Sequence, residues 1–372
     1  MSGPVIVGGG PAGAAAAIIL ATVGRNVTLL ERNAGPADKV CGDFLSAEAV
    51  TMIETLGVDL SAASTITAVR LVHRNRIATA RLPFTARGLT RRALDEALLR
   101  QATASGATVL RGHRVGTIEQ DRGSLRLNCG SLGQVVTDTV FLATGKHELR
   151  GAGRPSRGTG LVGFKMYFAL AAGQREALRH HVELTLFPGG YAGLQLVEAD
   201  RTVLCALMPA ARVRAAGGRW DSVLDSLSGE CPHLRERLAG ARALLDRPLA
   251  VTGLPYGYLY APGRRGSPGL FRLGDQAAVI ASLTGDGVAL ALASGSLAAH
   301  TWAAGGGDAR YHRDLAAALS RQIGLASAIH TLCLAPRLQP WVAAACGLWP
   351  GTMRLAASAT RARRLTHIGR VA

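Results

Sequence analysis

The residues that most clearly carry chemistry lie at the start of the chain. Gly8-Gly9-Gly10-Pro11-Ala12-Gly13 follows an apolar strand over residues 4–8 and opens an Ala-rich helix over Ala14–Gly24, and a second strand, Val27–Leu30, ends at Glu31. Gly8 permits a tight turn, Gly10 lets the main chain approach a pyrophosphate, and Gly13 lets helix and strand pack closely. The helix N-terminus, with Pro11 and Ala12 in its first turn, offers N–H groups and the positive end of a dipole to phosphate. Glu31, eighteen residues after Gly13, stands where a carboxylate accepts from ribose hydroxyls, and Glu31-Arg32 suits an adenosine ribose with free hydroxyls. This spacing predicts a dinucleotide site and does not separate FAD from NAD.

A second Gly-rich segment makes that distinction. Gly274-Asp275-Gln276-Ala277-Ala278 is followed by Gly285-Asp286-Gly287-Val288 and a small-residue helix to Ala304. This resembles the GD motif of the flavoprotein monooxygenases, in which the aspartate binds the FAD ribityl chain and the helix points its N-terminus at the cofactor. Three further segments agree. Arg91, in Arg91-Arg92-Ala93-Leu94-Asp95, resembles the family's arginine beside the FAD phosphates. Val140–Gly145 resembles the strand ending in ATG near the adenine side, implicating Thr144 and Gly145, and Val115 is a further cofactor candidate. Lys39-Val40-Cys41-Gly42-Asp43-Phe44 resembles the K-x-C-G segment of the geranylgeranyl reductase branch, which runs beside the flavin and places Cys41 and Gly42 there.

The resemblance implies an α/β fold of the para-hydroxybenzoate hydroxylase and glutathione reductase-2 type. A Rossmann-type FAD-binding domain, residues 1–150 and 251–305, is interrupted by a mixed β-sheet substrate domain at 151–250 that includes part of 62–87. A helical segment, 306–372, closes the chain. It also implies a flavin-dependent oxidoreductase acting on a lipophilic or aromatic metabolite of secondary metabolism. Hydroxylation or epoxidation through a hydroperoxyflavin comes first, reduction of C=C bonds in a prenyl or polyene chain second, and FAD binding without turnover third. The departures are specific. Ala143–Glu148 lacks the Asp-Gly that serves reduced-nicotinamide binding in the hydroxylases, so electrons are expected from NAD(P)H or from a partner reductase. Halogenase W-x-W-x-I-P is missing, Tyr191–Leu196 stands where the reductases have Y-x-W-x-F-P, and Ser282 stands where the family generally has proline.

With flavin supplying the difficult chemistry, the protein's own tasks are to place substrate and handle protons. Cys41 is the first catalytic candidate, as proton donor or pocket wall. Asp43 is the second, as proton acceptor or as the cap of a helix starting near Ser46. Phe44, Lys165, Tyr167 and Tyr191 are candidates for substrate contact, the middle two from the strand-like run Val162–Phe168. His330 and Cys333 share a helix face but lack a third ligand, and the six cysteines form no CxxC pair, so no metal is expected.

Composition bounds the partners. Lys and Arg total 42 against 25 Asp and Glu, a formal +17, yet only Lys39, Lys146 and Lys165 are lysines. No basic helix interleaved with aromatics is present, which argues against nucleic acid. From Arg310 onward there are nine arginines and one acid, Asp314, around apolar runs at Gln322–Pro336 and Leu338–Met353. Each run is shorter than the roughly 20 residues a bilayer span needs. The segment reads either as a helical cap on the core or as a peripheral membrane contact. With no secretion signal, the expected location is cytoplasmic.

Overall fold

The computed structural model describes residues 3–121, 123–154, 158–261 and 267–361. The chain opens with β1 (Val5–Val7), α1 (Pro11–Thr22) and β2 (Thr28–Glu31), the crossover expected from the glycine spacing. It then leaves that sheet for β3 (Phe44–Leu45), α2 (Ala47–Thr55) and a hairpin of β4 (Ser64–His73) and β5 (Arg76–Gly88). After α3 (Arg91–Ala104), β6 (Thr108–Arg111) returns to the first sheet. A small antiparallel sheet of β7 (Thr117–Asp121), β8 (Ser124–Asn128) and β9 (Gln134–Thr137) precedes β10 (Val140–Leu142).

The middle of the chain supplies β11 (Leu161–Ala169), α4 (Ala172–Leu178), β12 (His180–Phe187), β13 (Gly190–Leu196) and β14 (Thr202–Pro209). Short elements follow: α5 (Ala210–Ala215), α6 (Trp220–Glu230), α7 (Pro232–Arg237), β15 (Arg242–Ala243) and β16 (Leu249–Thr252). The chain then adds β17 (Leu270–Arg272), α8 (Gly287–Ala303), α9 (Asp308–Leu334), α10 (Gln339–Leu348) and α11 (Gly351–Ala359).

The first sheet is parallel, in the order β17-β10-β1-β2-β6. Ligands bind such sheets at the carboxyl ends of the strands, where the Gly8–Gly13 turn, Thr144 and Gly274 all emerge. Helix α1 is apolar nearly all round, as a helix enclosed by protein must be, and packs on α8. That approach depends on glycine: a Cβ at Gly295 would stand 2.1 Å from the Ala12 carbonyl oxygen.

The second sheet is mixed, ordered β15-β11-β14-β13-β12-β4-β5-β3, with β16 also on β11. The β4–β5 hairpin is its longest contribution from the first third of the chain, pairing β12 in parallel. Helices α10 and α11 cover β5, and α10 also reaches β4. Helices α6 and α7 are parted at Cys231, because Pro232 starts a new N-terminus, and strand β15 follows them. The apolar run Gln322–Pro336 forms the second half of the 27-residue α9 as far as Leu334 and then leaves the helix. Among the described residues no helix is long and apolar enough to cross a membrane; residues 362–372 of the basic terminus lie outside the described residues.

Candidate functional site

The N-terminal turn has the form a pyrophosphate requires. No side chain caps α1, whose first N–H groups are therefore open to a ligand. Gly8 has φ +108, and a Cβ there would meet the Ala143 carbonyl oxygen at 2.4 Å. Glu31 is buried at the turn, accepting from Gly9 N at 2.7 Å and, through its other oxygen, from Asn33 Nδ2 at 2.6 Å. The Arg91 guanidinium reaches the turn too, since a Cβ on Gly10 would stand 3.3 Å from its Nη2. It is held there by a bidentate pair with Asp95, which also binds Lys39 Nζ at 2.8 Å. These two cations hold the buried Asp95 carboxyl below its ordinary range, although burial alone would raise it. Arg32 extends outward to His147, Nη2 to Nε2 at 2.8 Å. The Val115 side chain is buried in the core beneath the sheet, so any contact with a nucleotide there would fall to its main chain.

The second Gly-rich segment meets this turn. Gln276 Nε2 donates to the Gly145 and His147 carbonyls, joining the two strand ends, and Thr144 Oγ1 donates to His147 O. The Asp275 carboxylate is partly exposed and accepts no hydrogen bond among the described residues, as a group awaiting ribityl hydroxyls would be. Asp286 is different. It is fully buried, accepting from Ser46 Oγ and Gln322 Nε2, each at 2.8 Å, and from Arg361 Nη1 at 3.3 Å. It therefore ties the C-terminal helices to the start of α8, and its side chain is committed to the protein rather than to a cofactor. Val288 is buried in the main core, while Gly285 and Gly287 stay accessible at the helix start. A Cβ on Gly285 would stand 2.7 Å from the Phe44 ring. Taken together, two uncapped helix starts, a glycine cradle, an arginine and two carboxylates suit FAD, whose phosphates and hydroxyls need those donors and acceptors.

Beside this lies the loop Lys39–Phe44, and its carbonyls are held by side chains. Lys165 Nζ donates to Lys39 O at 3.0 Å, Lys146 Nζ to Val40 O at 2.6 Å and Cys205 Sγ to Cys41 O at 3.0 Å. Gln195 Nε2 donates to Asp43 O at 2.9 Å. Two of the three lysines of this arginine-rich chain thus donate to the carbonyls of one loop, where a compact ammonium fits point acceptors better than a planar guanidinium, and the third, Lys39, ties the same loop to Asp95. Asp43, at φ +54, is fully buried, with Lys165 Nζ 2.8 Å from Oδ1 and the Tyr167 hydroxyl 2.7 Å from Oδ2.

This geometry corrects three expectations. Asp43 neither faces substrate nor caps α2, which Ser46 caps; its carboxylate lies between Lys165, Tyr167 and the Arg91 N–H, and it positions the loop. Lys165 and Tyr167 are buried against that carboxylate and are not in the cavity wall. Cys41, Phe44 and Tyr191 do line the cavity.

That cavity has a volume of about 280 Å³ and runs from Cys41, Gly42 and Gly285 between the second sheet and helices α9–α11. Its walls are mostly aliphatic: Val69, Leu71, Leu184, Ile329, Val342 and Met353 among them. No local pattern in the sequence marks Cys205, Tyr256 or Arg361, which stand on separate elements and join the site only through the fold. Ser282 is marked only by its departure from proline.

Comparison with known proteins agrees with this geometry. Residues 3–131 match the FAD binding domain family. A menaquinone reductase of Mycolicibacterium smegmatis is 27% identical over 338 residues, spanning 81% of this chain and 76% of that protein. Among solved structures, the flavin-dependent brominase Bmp2 superposes with a TM-score of 0.78 at 15% identity, covering 98% of this chain and 93% of its own. Halogenase PltM, in complex with phloroglucinol and FAD, superposes with a TM-score of 0.70 at 14% identity, covering 98% of this chain and 85% of its own.

Proposed function

We propose that this chain, which matches the FAD binding domain family over residues 3–131 and shares the group A flavin monooxygenase fold, is a flavin-dependent oxidoreductase that reduces a carbon–carbon double bond in a long apolar, prenyl-type molecule. The observation that carries this reading is the aliphatic cavity that begins at Cys41 and Gly42 and continues beneath the C-terminal helices. An apolar chain gives up no hydrogen bonds by entering it, and each buried methylene contributes about 0.8 kcal/mol. FAD, held by Gly8–Gly13, Glu31, Arg91 and Asp275, would supply the electron pair. The chain's own part is to exclude water, to align the double bond along the aliphatic wall and to hold a proton at the Cys41 thiol. The loop that carries Cys41 is fixed through four carbonyls, so the thiol is positioned before substrate arrives. The similarity to a menaquinone reductase supports reduction. Electrons are proposed to come from NAD(P)H or a partner reductase, with the partner favoured because Ala143–Glu148 lacks Asp-Gly.

Oxygenation of an apolar molecule, the first expectation from sequence, is kept as the second reading, favoured by the same dry wall. One experiment separates them. The reduced holoenzyme is mixed with a polyprenylated quinone without oxygen, the ring of the product is reoxidised to the quinone, and its mass is read. We expect a gain of two hydrogens that survives reoxidation; a product that returns to the starting mass, or one that forms only with oxygen and gains an oxygen atom, overturns double-bond reduction. Cys41→Ala should keep its flavin spectrum and lose turnover by about 10²–10⁴-fold, the usual contribution of a positioned acid. Unchanged turnover in that variant removes Cys41 from the mechanism.

We further propose that substrate is drawn from an anionic membrane surface. Of the ten large apolar side chains exposed among the described residues, seven lie within 325–355, including Trp341 at 75%, Leu348 at 89% and Trp349 at 65%. The inner faces of α9–α11 line the cavity while these outer faces meet solvent, and no acidic residue follows Asp314. Interfacial tryptophans with arginines and no acids match the headgroup layer of an anionic bilayer. The protein should sediment with phosphatidylserine-containing vesicles and less with phosphatidylcholine alone. Trp341→Ser with Trp349→Ser should lower the bound fraction without loss of flavin. Equal recovery from both vesicle types, or concentration-dependent dimers in their place, overturns the proposal.

A further inference from the structure

The polar groups of the cavity are few enough to follow one by one. Gln195 Nε2 donates one of its N–H groups to Asp43 O, and Lys146 Nζ one to Val40 O. Thr284 Oγ1 donates to Ala281 O, Thr352 Oγ1 to Trp349 O and Thr360 Oγ1 to Ala356 O. Arg361 is engaged by Asp286, Ala357 O and the Thr284 carbonyl. Three hydroxyls remain, and they touch. Tyr191 from β13 lies 2.5 Å from Ser282 Oγ, and Tyr256 lies 2.7 Å from the same oxygen. All three residues line the cavity.

These hydroxyls hold three protons and share two hydrogen bonds. However the donors are arranged, one O–H has no acceptor among the described residues. His330, whose ring centroid is 5.2 Å from that of Tyr256 and 6.4 Å from that of Tyr191, brings no charge to the group: it is held neutral by burial, its pKa lowered to about 4. Burial pushes both tyrosine hydroxyls up, so they stay protonated donors. Ser282 matters to the arrangement because a proline there would remove the oxygen shared by both tyrosines.

We propose that Tyr191, Ser282 and Tyr256 form a hydroxyl site that receives one carbonyl-type oxygen, as in a quinone or ketone, of an otherwise apolar ligand. The proposal rests on the cavity being the substrate site and adds to it a polar end with a fixed demand: an acceptor oxygen satisfies the remaining donor, whereas a pure hydrocarbon leaves it unpaired, and an unpaired polar group in such a setting weakens binding. The site thereby selects among apolar molecules that the aliphatic wall alone would not distinguish.

The test is binding to the oxidised holoenzyme, followed by perturbation of the flavin spectrum. The probes are 2,3-dimethyl-1,4-naphthoquinone and 2,3-dimethylnaphthalene, which share a ring system and differ in the two oxygens. The triple variant Tyr191→Phe, Ser282→Ala, Tyr256→Phe should bind the quinone roughly five- to tenfold more weakly than wild type, with hydrocarbon binding equal or tighter. Ser282→Thr, which keeps the hydroxyl and guards against a fold defect in the triple variant, should stay within about twofold for both probes. Unchanged quinone affinity in the triple variant overturns the site, as does an equal loss for both probes. Loss of quinone affinity in Lys146→Met but not in the triple variant assigns the oxygen to the lysine and overturns it as well. Since the readout is binding to the oxidised form, a failure to find double-bond reduction bears on the reaction and not on this site.

Discussion

Lys165→Met is expected to lower stability at pH 7 by about 3–5 kcal/mol, the usual cost of leaving one member of a buried ion pair without its partner. Lys165 and Asp43 are both fully buried, with their closest approach at 2.7 Å. Burial raises the Asp43 carboxyl above its ordinary 3.8, opposed by the charge and hydrogen bond of Lys165 and by the Tyr167 hydroxyl. A carboxyl whose folded value is raised binds its proton more tightly when folded, so stability falls as pH rises through that value. Removing Lys165 raises the value further. The deficit of the variant should therefore shrink as pH is lowered from 7 toward 5, because the neutral acid tolerates burial. Denaturant titrations at the two pH values check this. A deficit below about 1 kcal/mol, the range of an exposed pair, or one that is independent of pH, would show that the pair is not the anchor described. Asp43→Asn combined with Lys165→Met should recover part of the loss, since no charge then remains unpaired.

Gly13→Val is expected to yield protein that retains little flavin. A Cβ at Gly13 would lie 2.0 Å from the Gly8 carbonyl oxygen, 3.1 Å from Ile6 Cγ2 and 3.2 Å from Ala143 Cβ. The first of these contacts is with backbone, so no rotamer change relieves it, and the turn itself must move. Overpacking of this kind costs about 1–3 kcal/mol, and here the displaced atoms are those that meet the pyrophosphate. That corresponds to a fall in FAD affinity of about tenfold to a hundredfold, read as flavin absorbance per protein after gel filtration. Full flavin occupancy in this variant would show that Gly13 is not part of the cofactor turn.

The nucleotide half of the protein was legible because its signals are local. A turn that brings a strand end, a helix start and a phosphate together needs glycine within a few residues, so Gly8–Gly13 and Glu31 announce themselves without knowledge of the rest of the chain. The same holds for Gly274–Asp275 and Gly285–Gly287, whose cofactor role came from family resemblance and whose accessible helix start the structure displays.

What the substrate half does was decided only in three dimensions. Val162–Phe168 reads as a strand, but every residue of β11 from Leu161 to Phe168 is buried, so the alternation that would tell one face from the other is erased. Sequence could therefore name Lys165 and Tyr167 and not say that both turn to Asp43, 122 and 124 residues away. Tyr191 meets Ser282 across 91 residues, and Arg361 meets Asp286 across 75, each through sheet register and helix packing that no local pattern encodes. Sequence by itself determined a dinucleotide-binding fold, because backbone chemistry at the turns demands particular residues, and the resemblance of a second glycine-rich segment pointed to flavin. Tertiary structure alone decided which polar side chains hold the loop and which remain for a ligand, because a buried group's role depends on the partner that satisfies it.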